Sequence, residues 1–179
     1  MRLAAPQWFR KPERDPLYDP WDNHRSIVVL MSGLPAAGKD TWIREHLPGW
    51  PVVSLDQLRE ELDVDPEEAQ GPVVRAAWDL AREHLRAGRD FAWNATHVTR
   101  ATRGRIIDLL AGYDARIRIV AVEAPADRLL TWNRGRQGKR VVLEEVIHRL
   151  VGRWEPPDWT EGHVLEAVGE AVRGAWLTP

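Results

Sequence analysis

The segment Gly33-Leu34-Pro35-Ala36-Ala37-Gly38-Lys39-Asp40-Thr41 constrains this chain more than any other stretch. It follows the apolar run Ile27-Val28-Val29-Leu30-Met31, which reads as a buried parallel strand. It opens Asp40 to Leu47, which reads as a helix stopped by Pro48-Gly49. Two glycines flanking four residues, then lysine, at a strand-to-helix turn make the Walker A spacing. The glycines permit backbone angles that turn successive N–H groups, around Gly33, Ala36, Ala37 and Gly38, into one concavity. The helix beginning there adds its positive dipole end, and Lys39 supplies a point charge for β- and γ-phosphates. A match of this kind arises by chance in roughly a few per thousand chains of this length. A plain βα turn is the alternative. The spacing therefore implies a site for the phosphates of ATP, with GTP or another nucleoside triphosphate not distinguished.

One position departs from the pattern. The residue after the lysine is ordinarily Ser or Thr, whose hydroxyl ligates Mg²⁺; here it is Asp40, followed by Thr41. Asp40 can ligate the metal, favour the helix N-terminus electrostatically, or repel phosphate and mark a degraded site. Metal ligation by Asp40, with Thr41 beside it, is the reading adopted.

Beyond the loop the pattern alternates between strand and helix. Val52 to Leu55, Phe91 to Trp93, Ile117 to Val122 and His163 to Val168 read as further strands, the last with helix as its alternative. Asp56 to Leu62, Pro66 to Ala87, a segment capped by Thr99 or Thr102, Pro125 toward Arg134, and Leu143 to Trp154 read as helices. In the longest, Val74, Ala77, Trp78, Ala81 and Leu85 form the apolar stripe. The expected fold is α/β: a P-loop NTPase with a parallel sheet of about five strands, helices on both faces and a small Arg-bearing lid at about 133–142. Residues 1–25, with four prolines, read as an extended arm; 26–179 is the expected kinase-type domain.

Composition narrows the classes. At 179 residues with 44% hydrophobic and 29% charged, the chain suits one soluble domain. No apolar run approaches the roughly 20 residues of a membrane span. The first residues lack the core of a secretory signal, and cysteine is absent, so a cytoplasmic location is expected. Six histidines without ligand spacing exclude a zinc site. The net charge of −2 argues against general coating of nucleic acid, although a cleft can confine positive charge. Most of the ten tryptophans read as packing residues, with Trp42 and Trp132 placed for ligand contact.

A ligand on an open α/β sheet sits at the carboxyl ends of the strands, and Asp56 and Asn94 stand at two such ends. A hydroxyl acceptor needs a base, and Asp56 is the best-placed carboxylate; an N-cap on the following helix is its alternative. Arg59, one turn on, either binds an acceptor phosphate or pairs with Asp56 or Asp63. Arg134, Arg136 and Arg140 lie in a stretch punctuated by Gly135 and Gly138, suited to closing on transferring charge; a solvated basic face is the alternative for Arg134 and Arg140. Arg100, Arg103 and Arg105 line an acceptor groove or form a solvated helix face.

Over roughly 26–168 the chain resembles the polynucleotide-kinase-like branch of the P-loop kinases. Gly33 to Trp42 is similar to that family's Gly-x-Pro-x-x-Gly-Lys loop, and Asp56-Gln57-Leu58-Arg59 to its Asp-x-x-Arg. Trp93-Asn94-Ala95-Thr96-His97 resembles its Asp/Asn-x-Thr-Asn segment, with His97 in place of Asn. Asn133-Arg134-Gly135-Arg136 through Val141-Val142 resembles its lid, with Val142 in place of Pro. The resemblance implies transfer of the ATP γ-phosphate, with Mg²⁺, to the 5′-OH end of RNA or DNA. It makes Asp56 the base, Arg59, Asn94 and Thr96 acceptor contacts, and Arg136 the lid arginine. A small-molecule or toxin-like phosphotransferase and a nucleotide-binding switch ATPase are the other readings.

Overall fold

A computed structural model describes residues 24–65, 69–136 and 141–169. The expected N-terminal arm up to residue 23, and Arg140 of the lid, lie outside the described residues. Eleven elements follow in the order β1 (Ser26–Ser32), α1 (Lys39–His46), β2 (Val52–Ser54), α2 (Leu55–Glu61), α3 (Gly71–Arg86), β3 (Phe91–Asn94), α4 (Arg100–Ala111), β4 (Ala115–Glu123), α5 (Ala126–Arg134), α6 (Glu144–Val151) and β5 (Val164–Gly169). All strand pairings are parallel, and the sheet order is β2-β3-β1-β4-β5. Helical crossovers are what a parallel sheet requires.

The period of two along β1 divides the core. Val28 and Leu30 face one side with Phe91, Trp93, Ile117 and Ile119, covered by Leu58, by Val73, Ala77, Ala81 and Leu85 of α3, and by Ile106 and Leu110 of α4. Val29 and Met31 face the other, with Val120, Val122, Trp42 and Ile43 of α1, and Leu129 of α5. Helices therefore cover both faces, as expected. Each large apolar side chain buried this way contributes about 1.5–3 kcal/mol. The β1 register sets Leu30 opposite both Trp93 and Ile119. The central strand thus carries its carboxyl end, and the loop after it, into the middle of the sheet edge.

Several boundaries differ from the expected ones. The described part of α3 begins at Gly71, with Pro72 in its first turn, and Val73 rather than Val74 is the buried residue. Val74 faces outward because the stripe passes through Val73, Ala77, Ala81 and Leu85 at 3.6-residue spacing. Helix α6 stops at Gly152 before its prolines. Thr99 and Thr102 together form a reciprocal capping box at the start of α4. Residues 164–169 resolve as strand, paired along β4.

Candidate functional site

The phosphate loop runs from β1 into α1 with two glycines in backbone regions closed to ordinary side chains. Gly38, at φ 99°, is the residue from which α1 starts, and no side chain caps that helix. Its first-turn N–H groups are therefore open toward the loop. Gly33 donates its N–H to Thr96 O at 2.9 Å, and a Cβ there would stand 2.4 Å from Val122 O. Ala36 also has a positive φ of 63°, a conformation costing a non-glycine residue of order 1 kcal/mol and held by the surrounding loop.

Lys39 is buried, and its Nζ donates to Gly33 O at 2.9 Å and Leu34 O at 2.7 Å. Burial pushes its pKa down to about 8, with Arg136 adding to the shift while Asp40 and Asp56 oppose it. The ammonium is thus held inside the loop, short of counter-charge of the kind a phosphate supplies. Asp40 accepts from Asn94 Nδ2 at 2.5 Å, and its other oxygen lies 3.8 Å from Arg136 Nη2. The three residues come from α1, the end of β3 and the segment after α5.

Two cavities meet over this loop. One, of about 630 Å³, is lined by Thr41, Trp42, His46, Arg128 and Trp132. The other, of about 620 Å³, is lined by Lys39, Asp56, Arg59, Asn94, Thr96 and Arg149. Ala36, Gly38, Asp40 and Arg136 line both. The loop is therefore a shared wall, reached from two sides.

Asp56 is not the N-cap of its helix. Ser54 is, accepting from Gln57 N at 3.4 Å, which leaves the Asp56 carboxylate in the first turn and facing the second cavity. Arg59 bonds the Asp56 carboxylate through Nη1 and donates from Nε to Gln70 Oε1 at 2.6 Å. The Asn94 side chain is buried, and its Oδ1 has no hydrogen-bond partner among the described residues. Thr96 lines the same cavity while its carbonyl holds Gly33. Thr41 is exposed beside the first cavity, with Arg44 Nη2 at 3.5 Å from its hydroxyl.

Arg134 lies apart from both cavities. It ends α5, exposed, with Nε on Glu144 Oε1 at 2.8 Å. Asn133, which precedes it, is buried, and its amide clamps Val142 in both directions, at 2.6 and 3.0 Å. The first two residues of the expected lid, Asn133 and Arg134, therefore belong to α5.

Behind the site, Arg103 lines no groove and does not belong to a solvated face. It is fully buried, paired with Glu161 through two bonds of 2.7 and 2.9 Å, and donates to the carbonyls of His97 and Glu155. Arg100 pairs instead with Asp158, and Arg105 is exposed. Ser32 Oγ also donates to His97 O, and the His97 ring contacts Met31 O at 2.8 Å through Nδ1, which as the atom facing a carbonyl must carry the proton. Burial holds that ring neutral, its pKa near 4. His97 thus joins β1 to the end of β3 from within the core and does not reach the acceptor side. Trp42 is buried, stacked on His46 at 4.5 Å and with the Arg118 guanidinium over its ring at 5.6 Å; Trp132 is exposed and lines the first cavity. Among the described residues there is no group of three or more His, Cys, Asp or Glu that could hold a metal. No described helix is long and apolar enough to cross a membrane.

No curated protein sequence matches the chain significantly. Solved structures match at low identity and thereby speak to the fold alone. A candidate kinase from Chloroflexus aurantiacus is 16% identical with a TM-score of 0.65, over 82% of this chain and 89% of that one. A chain of the Pnkp1/Rnl/Hen1 RNA repair complex is 18% identical with a TM-score of 0.62, over 74% of this chain and 45% of that one. Kti12 of Chaetomium thermophilum, solved with ADP-AlF3, is 16% identical with a TM-score of 0.58, over 80% and 89%. The sequence pattern of an AAA domain family matches residues 28–157, more than half of the chain. With that match, a glycine-lysine loop at the central strand and a parallel five-stranded sheet, the chain belongs to the AAA domain family and has the P-loop kinase-like α/β fold.

Proposed function

We propose that the protein is a P-loop kinase that transfers the γ-phosphoryl group of ATP to the 5′-OH end of a polynucleotide. The observation that carries this reading is the pair of cavities sharing Gly38, Asp40 and Arg136, because transfer needs a donor and an acceptor compartment joined at the phosphate. A switch ATPase needs only the first. Kti12 with ADP-AlF3 and the RNA repair complex, both of this fold, are consistent with a nucleotide donor and a nucleic-acid acceptor.

In this mechanism the acceptor hydroxyl oxygen forms a bond to the γ-phosphorus as the bond to the β–γ bridging oxygen breaks. ADP leaves, and the hydroxyl proton passes to the Asp56 carboxylate. Arg59 fixes that carboxylate, Asn94 and Thr96 line the acceptor cavity, and Lys39 with the loop amides of Ala36 and Gly38 holds the donor phosphates, the Gly33 and Ala37 N–H groups being taken by Thr96 O and Leu34 O. Arg136 stabilises charge between the two compartments. Asp40 and Thr41 are the residues that would hold Mg²⁺. The donor types fit: a carboxylate and the neighbouring hydroxyl in the first turn of α1 suit an ion that takes its remaining ligands from water and phosphate. When bound, that ion neutralises charge on the β- and γ-oxygens.

The test is transfer of label from γ-labelled ATP to a panel of 5′-OH RNA, 5′-OH DNA, nucleosides and sugars. Labelled polynucleotide, reduced about 10²–10⁴-fold by Asp56→Ala, is expected. Label in no acceptor, with phosphate release unaffected by that substitution, would sink the kinase reading. A small-molecule kinase is the second reading, favoured by the apolar wall of Val141, Val142 and Leu143 that bounds the acceptor cavity. Label entering only sugars or nucleosides would establish it.

A further inference from the structure

Two of the guanidinium groups lining the second cavity face carboxylates. Arg59 spends Nη1 on Asp56 and Nε on Gln70, whose own amide donates to Asp65 O, so it tethers the base to the segment leading into α3. Arg136 lines both cavities and faces Asp40, at the donor phosphates. A third guanidinium, that of Arg149, lines the same cavity. Arg149 lies on α6 one turn after Val146, and both residues line the cavity, together with Leu143 at the start of that helix. Ile147, on another face of α6, is buried and anchors the helix. Arg149 is exposed and makes no ion pair among the described residues. The cavity's acidic residues are Asp40, Asp56 and Asp65; the first two face Arg136 and Arg59, and Asp65 stands at the Gln70 end.

The wall around Arg149 is apolar: Val141, Val142, Leu143 and Val146. A cation beside apolar side chains, in one cavity with a carboxylate base, matches a ligand with an anionic group, an apolar face and a hydroxyl. A nucleotide unit has this arrangement, with its phosphate displaced from its 5′-OH. We infer that Arg149 is the acceptor-phosphate binding residue of this cavity, that the Val141–Val146 wall takes the base or sugar face, and that Arg59 acts as a positioning residue for Asp56. The inference rests on the acceptor role proposed for the cavity. It reassigns the phosphate contact from α2 to α6.

Calorimetry on the full chain, saturated with a non-hydrolysable ATP analogue and Mg²⁺, tests it directly. The ligands are a nucleoside and the corresponding nucleoside 3′-monophosphate, and the proteins are the unaltered chain, Arg149→Ala and Arg149→Lys. The unaltered protein is expected to prefer the phosphorylated ligand by about 10-fold or more. Arg149→Ala reduces that preference to within about 2-fold while nucleoside affinity stays unchanged, and Arg149→Lys restores part of it, a lysine giving charge without the fork. The inference is overturned if the unaltered protein shows no preference, if the preference survives Arg149→Ala, or if both ligands weaken equally. Arg149-dependent binding without any transfer would instead leave this site standing and remove the kinase reading.

Discussion

Lys39 has chemistry that can be read in solution. Because burial lowers its pKa to about 8, the folded protein binds fewer protons than the unfolded chain between about pH 8 and 10.5. Its contribution therefore makes stability rise with pH across that window, the reverse of a paired lysine. Phosphate binding restores the charge, so ATP binding near pH 8 should take up about half a proton per site. Calorimetry in buffers of different ionisation enthalpy measures this, and Lys39→Met should abolish it. Asp40 gives a second prediction at this scale: Asp40→Ala should raise the Mg²⁺ concentration for half-maximal activity about 10-fold, with Asp40→Ser recovering part. Metal dependence unchanged by Asp40→Ala would remove its assigned role. Both residues were legible from the loop's spacing alone. What spacing could not show is that Asp40 reaches Asn94, because that contact joins positions 54 apart in the chain.

At the scale of elements, local signals carried most of the fold. Apolar runs, glycine stops and cap residues act within a few positions, so β1, α1, α5 and β4 emerged near their expected bounds. The cap of α2 shows where such signals mislead: Ser54 and Asp56 both suit an N-cap, and only the end of β2 decides between them. Arg128 and Arg149 were missed as cavity residues because a helix face becomes a site only when the helix is docked. Their one-turn spacing from Trp132 and from Val146 was the available clue. The junction of β1 and α1 supports a prediction of its own. Gly33→Ala places a Cβ 2.4 Å from a carbonyl of β4, which cannot rotate away as a side chain would. A loss of about 2 kcal/mol or more is expected in denaturant unfolding, with weakened ATP binding. Full stability in that variant would show that the strand ends are not locked together there.

Taken as a molecule, the protein is held behind its site by a polar bolt that composition and periodicity could not reveal. Arg103 of α4 meets Glu161, 58 positions away, and itself donates to the His97 carbonyl that also takes the Ser32 hydroxyl. Sequence reasoning sees Arg103 as one of three arginines on a helix; tertiary structure makes it a buried ion. Arg103→Ala should cost about 3–5 kcal/mol by leaving Glu161 charged and unpaired, and Arg103→Met with Glu161→Leu should cost less than the single change. Chemical denaturation of the three proteins measures the difference, and a double variant weaker than the single one would contradict it. The amide of Asn133 has a consequence for how such a chain can diversify. It grips both polar backbone groups of Val142, nine positions on, so the chain leaves α5 and returns toward α6 at points tied to each other. Arg136 apart, the positions between those two points are ones through which substrate choice can drift, be grafted or be selected while the rest of the fold keeps its shape.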